Sequence, residues 1–196
     1  MQRHHFLMRR LHSLSGIVPV GLFVIMHLFT NAQVIWGQNP DGSSVFQHEV
    51  DFIHSLPALL FLEIGLWGAI AFHAGLGFYY TFTGAKANVD KYHGRRYEAN
   101  VRYTLQRVTG IVAFVFIFLH IATLRWRWEV FGWFTPFYAR WGEGGAAGHD
   151  GAALSLPLTA YALQYSWLVV VFYAIGVLSV IYHWSNGLWT AAISWG

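Results

Sequence analysis

Four histidines stand alone inside long apolar runs: His27, His73, His120 and His183. In such surroundings an imidazole either ligates a metal through one ring nitrogen or stays neutral and hydrogen-bonds a neighbouring segment. For any one of them the second role competes fully with the first. Four of them, one in each apolar run, favour ligation, because polar groups inside a bilayer are costly and mostly functional. The sequence contains no cysteine, which excludes disulfides, thiolate-held iron–sulfur clusters and haem attached through C-x-x-C-H. Metal chemistry must therefore rest on histidine or carboxylate. Glu63 is the one acidic residue placed within an apolar run, ten residues before His73. A carboxyl there either bonds across helices or handles a proton where water reaches it.

The elements that must position these groups are membrane helices. The 196 residues are 56% hydrophobic and 11% charged, whereas soluble domains carry about 25% charged residues. A bilayer core about 30 Å thick takes about 20 apolar helical residues, and four stretches qualify: 14–35, 56–82, 104–124 and 161–192. The first follows basic residues but is too long for a cleavable signal and lacks a small-residue cleavage site, so it reads as a retained helix. The prediction is an all-α transmembrane bundle forming one domain over 1–196. Polar connections separate the spans: 36–55 with a short amphipathic segment at 46–53, a basic loop at 86–102, and a Trp-, Tyr- and Gly-rich stretch before the fourth span.

The net charge of +3 sets topology rather than pointing to nucleic acid, because the basic residues flank the spans. Arg3, Arg9 and Arg10, with Lys86, Lys91, Arg95, Arg96, Arg102 and Arg107, outnumber Arg125, Arg127 and Arg140 on the opposite side. By the positive-inside rule the N-terminus is cytoplasmic. At about 1.5 Å per residue, His27 and His120 then fall in the outer half and His73 and His183 in the inner half. Two ligands at each of two depths suit a pair of bis-imidazole haems stacked between the helices, whereas a zinc site wants three or four ligands at one depth. A weak repeat agrees: Ser15-Gly16-Ile17-Val18 parallels Thr109-Gly110-Ile111-Val112, and H-x-x-x-G recurs as His73/Gly77 and His183/Gly187. Those last two glycines leave room for a flat macrocycle, although small residues also serve plain helix packing.

RRLHSLSGIVPVG with its downstream His27, SLPALLFLEIG leading to His73, LQRVTGI leading to His120, and HWSNGLW at His183 together closely resemble the dihaem cytochrome b membrane anchor of succinate:quinone oxidoreductases. The resemblance covers nearly the whole chain. It implies an anchor and electron-transfer subunit of succinate dehydrogenase, multi-pass in a prokaryotic cytoplasmic membrane. Its partners would be a flavoprotein and an iron–sulfur protein on the cytoplasmic side, and its substrate a quinone, menaquinone by expectation. The subunit alone would not oxidise succinate. Carried over, the axial ligands are His27 and His120 for the outer of two b haems and His73 and His183 for the inner, the pairing that depth also favours. Such anchors usually have a fifth helix after the WSNGLW region. This sequence stops at Ser194-Trp195-Gly196, so it is either truncated or a member without that helix.

The resemblance favours Glu63 as a proton donor or acceptor for a quinone near the outer haem. His12, Ser15 and Arg107, at the cytoplasmic ends of their spans, could bind a haem propionate or a quinone head group, with interfacial anchoring as the plain alternative. His4, His5, His48, His54, His93 and His149 read as solvated surface, and the tryptophans mostly as interfacial belt residues. Two rival classes stand beside this reading. One is the dihaem cytochrome b of another quinone-linked dehydrogenase, of hydrogenase or formate dehydrogenase type. The other is a transporter or scaffold whose histidines only relay protons or hydrogen-bond.

Overall fold

The computed structural model describes residues 2–38, 44–83, 98–126, 128–133, 160, 163–164 and 166–195. Among the described residues there is no strand, and four helical stretches are long and apolar enough to cross a membrane: Phe6–Trp36, Leu59–Thr83, Glu98–Leu124 and Trp167–Trp195. The first is built from α1 (Gln2–Ser15), a π-helical turn (Gly16–Gly21), α2 (Leu22–Ala32) and a final 3-10 turn (Gln33–Trp36). A short helix α3 (Val45–His54) follows, capped by Ser44, whose hydroxyl accepts the Gln47 amide at 3.3 Å. The other spans are α4 (Leu59–Thr83), α5 (Glu98–Leu124) and α6 (Trp167–Trp195).

The π turn follows from Pro19. In an α-helix the Ser15 carbonyl would take the amide of residue 19, which proline lacks. A π turn hands a carbonyl to the amide five residues on, so the backbone stays paired where no water can substitute. Hydroxyls follow the same rule. Thr83, Thr104, Thr109 and Thr123 each donate to the carbonyl four residues back in their own helix, at 2.6 to 3.0 Å. Apolar side chains meanwhile face outward: Met26, Phe61, Phe82 and Leu178 are all more than half exposed. That is the inverse of a soluble core and suits hydrocarbon as solvent.

Helix boundaries depart from the sequence expectation in both directions. The first helix begins at Gln2 rather than residue 14, and the third at Glu98 rather than 104. Charged residues interrupt the apolar signal without stopping a helix that emerges into water. Arg102, expected in a loop, is therefore helical. The fourth helix starts later than expected, at Trp167 rather than residue 161. The remainder of the basic loop, 84–97, lies outside the described residues.

The backbone divides into two compact units. One comprises Met1–Phe23, Glu63–Val115 and Gly176–Gly196, and the other Val24–Leu62 and Phe116–Ile175. The first holds His12, His73 and His183. The second holds His27 and His120.

Candidate metal centres

In the first unit the rings of His73 and His183 lie 6.1 Å apart, centre to centre. Each is tied through Nδ1 to a backbone carbonyl on another helix: His73 to His12 O at 2.8 Å, and His183 to Gln106 O at 2.9 Å. The two carbonyls occupy matching places. A glycine lies four residues beyond each, Gly16 after His12 and Gly110 after Gln106. In a helix the side chain four residues on overhangs the carbonyl, so its absence opens the notch that the ring enters. A Cβ at Gly16 would stand 2.7 Å from His73 Nδ1, and one at Gly110 would stand 2.8 Å from His183 Cε1 and 3.1 Å from its Nδ1. The S-G and T-G repeat is thus a pair of imidazole seats.

Ligation needs a defined tautomer. An Nδ1–H bonded to a carbonyl leaves Nε2 with its lone pair for a metal and holds the ring in one orientation. His73 and His183 both have that arrangement.

Around His73 gather the other residues expected near it. The His12 ring stacks on the His73 ring, 4.0 Å between centres and 9° from parallel. Ser15 Oγ donates to His12 O at 2.9 Å and lies 3.4 Å from His73 Nδ1. Tyr80 meets His12 edge-on, and the Arg9 guanidinium stands over Tyr80. Arg107 donates to Tyr80 O at 3.4 Å and to the Tyr103 hydroxyl, and covers the Tyr103 ring. His12 Nδ1 is buried with no hydrogen-bond partner among the described residues. An unsatisfied imidazole nitrogen, with two arginines on the Tyr80 that meets its ring, is a setting that an acidic or carbonyl oxygen would suit.

In the second unit the rings of His27 and His120 lie 5.7 Å apart. Here the orienting partner is a side chain: His120 Nδ1 lies 3.1 Å from the Tyr173 hydroxyl. Phe116 stacks on His120, at 5.6 Å and 25°, and meets Tyr173 edge-on at 5.2 Å. The sequence reading did not single out Tyr173, because one tyrosine among the aromatic residues of an apolar helix carries no distinguishing pattern. His27's carbonyl accepts from Asn31 Nδ2 at 2.7 Å.

The donor sets test which group would fit. Two imidazoles bound on opposite sides of one metal, at about 2 Å per bond, have ring centres about 6 Å apart, and both pairs stand at that separation. Among the described residues no group of three or more His, Cys, Asp or Glu side chains could hold an ion. A metal with only two protein ligands takes its remaining ones from elsewhere, and a haem macrocycle supplies four. Nitrogen donors in an apolar helix bundle fit bis-imidazole haem.

Other expectations sort less cleanly. Glu63 is half-buried near the start of α4, about 15 Å along the helix from His73. Gly77 faces His12 Cε1 at 3.4 Å and Gly187 faces Gln106 Nε2 at 3.6 Å, so these glycines receive polar side chains where room for a macrocycle was expected. Trp184 is no belt residue, for its indole packs against Gly21 with Nε1 buried. His48 and His54 lie on α3, as surface residues would. His93 and His149 lie outside the described residues.

The chain is similar to the succinate dehydrogenase cytochrome b558 subunit of Bacillus subtilis (strain 168), with 36% identity over 192 residues, covering 97% of this chain and 80% of that protein. No protein-family model matches it, and no solved structure matches it.

Proposed function

The chain belongs to the succinate dehydrogenase cytochrome b558 subunit family, and on that premise we propose that it is the anchor through which a flavoprotein and an iron–sulfur protein reduce a membrane quinone. His73 and His183 ligate an inner haem b, and His27 and His120 an outer one. When bound, the haems supply one-electron transfer between the iron–sulfur subunit and the quinone, which we read as menaquinone.

The chain's own residues do the rest. Carbonyls of His12 and Gln106 hold the Nδ1 protons of the inner ligands, and Tyr173 pairs with that of His120. Apolar helices exclude water from the four imidazoles. His12, Ser15 and Arg107 bind a haem propionate or the quinone head group at the inner end. Glu63 passes a proton to or from quinone at the outer end. The positive-inside count supports a cytoplasmic N-terminus, and we read the membrane as a prokaryotic cell membrane and the docking face for the soluble subunits as the N-terminal segment with the 86–102 loop.

The observation that carries this reading is the meeting of four isolated histidines in two pairs at ligand spacing, in a chain without thiols. Its test is the visible spectrum and haem content of the protein purified with whatever subunits accompany it. Two non-covalent b haems and co-purifying succinate dehydrogenase subunits are expected. Replacing His27 or His120 with Ala should remove one haem, and replacing His73 or His183 the other. A protein without haem, or haem content unchanged by all four replacements, refutes the ligand assignment. A hydrogenase or formate dehydrogenase subunit in its place refutes the partner.

A further inference from the structure

Three polar side chains of the first unit form a line that ends on His183. Arg102 Nε donates to Asn186 Oδ1 at 2.9 Å, Asn186 Nδ2 donates to Gln106 Oε1 at 2.8 Å, and Gln106 Nε2 donates to the His183 carbonyl at 3.0 Å. The line closes on itself at the last step. The residue whose carbonyl receives Gln106 Nε2 is the one whose ring bonds the Gln106 carbonyl, at 2.9 Å. Asn186 is 5% exposed, and both atoms of each amide are used.

Amides that merely join helices need one bond between them. Here each amide accepts from one neighbour and donates to the next, and the direction runs from the first turns of α5 to the backbone carbonyl of His183, whose ring in turn is held by the Gln106 carbonyl. Arg102 is fixed at the far end by the Trp189 ring, 4.9 Å from its guanidinium carbon, with an exposed ion pair to Glu98 at 3.5 Å adding little. Among the described residues His73 has no such side-chain line. Its acceptor is the His12 carbonyl, supported by the Ser15 hydroxyl.

We propose that Arg102, Asn186 and Gln106 are positioning residues, a side-chain relay that locks Gln106 and His183 together and so sets the orientation and basicity of the His183 ring. The proposal rests on His183 being a haem ligand. A firmly held Nδ1–H···O=C bond raises the basicity of Nε2 and favours the oxidised metal. Loosening the relay should therefore raise the reduction potential of the haem held by His73 and His183 and change its low-spin electron paramagnetic resonance gmax, which reports the angle between the two imidazole planes.

The experiment uses the complete complex in membranes, with potentiometric titration and electron paramagnetic resonance. Gln106→Met keeps the backbone carbonyl and the side-chain length while removing both amide bonds. It should retain two haems, shift the potential of the His73/His183 haem upward and move its gmax, leaving the other haem unchanged. Asn186→Leu should move the same signal in the same direction. Arg102→Met should move it less, and not further when combined with Asn186→Leu, because the relay is serial. Should Asn186→Leu fail to accumulate, Asn186→Asp keeps the shape and the acceptor for Arg102, loses the donor to Gln106, and must still shift that signal. Unchanged signals in Gln106→Met and Asn186→Asp with both haems present overturn the relay, as does an equal shift of both haems. A parent complex lacking two b-haem signals would instead overturn the ligand assignment beneath it.

Discussion

Alanine in place of Gly16 should damage the inner centre, although in a helix interior the same change ordinarily stabilises by about 1 kcal/mol. The new Cβ would lie 2.7 Å from His73 Nδ1, where carbon and nitrogen in ordinary contact stand about 3.5 Å apart or more. His73 must retreat by at least about 0.8 Å, because its Cε1 would stand nearer still. That stretches its 2.8 Å bond to His12 O beyond hydrogen-bonding range, stranding a buried polar group at a cost of about 1–3 kcal/mol, with overpacking of similar size added. At Gly110 the nearest ring atom, His183 Cε1, is 2.8 Å away, so the retreat is about 0.7 Å, smaller than at Gly16, where both of the nearest ring atoms stand closer. Gly75, with no neighbour within 4 Å of its would-be Cβ, is the control. Haem content and the inner-haem spectrum, measured in membranes normalised to protein, should fall in the order Gly75→Ala (unchanged), Gly110→Ala, Gly16→Ala, with Gly16→Ala losing most of the inner haem. Full haem content with an unaltered inner signal in Gly16→Ala would show that His73 does not depend on that notch.

Exchanging Glu63 for Gln keeps shape and removes the titratable proton, so both haems should stay bound and reducible by succinate while quinone turnover slows at least tenfold. Normal turnover would assign Glu63 a structural role. Tyr173→Phe removes the hydroxyl 3.1 Å from His120 Nδ1 and should shift the outer haem potential at unchanged haem content, at a stability cost of about 1 kcal/mol. Redox titration decides it. Deleting residues within 86–97 should release succinate dehydrogenase activity from membranes into the soluble fraction, and full retention would place the docking face elsewhere.

The four spans and the pairing of their histidines were legible because both follow from hydropathy and rise per residue, which are local quantities. The imidazole seats were half legible. The repeated S-G and T-G steps marked the place, but a glycine reads the same whether it admits a helix or a ring, and only the position of His73 and His183 distinguishes them. Gln106 and Asn186 sit in short polar groups, beside Arg107 and Ser185, at the ends of apolar runs, and their partners depend on helix rotation. Arg102 has the sequence signature of a loop residue because charge, not helix propensity, ends the apolar pattern. The π turn had a signal in Pro19, since a proline inside a span strands a carbonyl that some other amide must then satisfy.

That turn bears on how chains of this kind can diverge. His27 lies eleven positions after Gly16, whereas His120 lies ten after Gly110. An added residue in a regular α-helix turns everything beyond it by about 100°, which would swing a ligand off its face. A π turn takes up one residue without that swing, and the first span has one where proline already forbids the α-helical bond. Between Gly16 and Gly21 the span can therefore gain or lose a residue over evolutionary time while its histidine keeps its bearing. A one-residue gap in the first span between this chain and a relative belongs there.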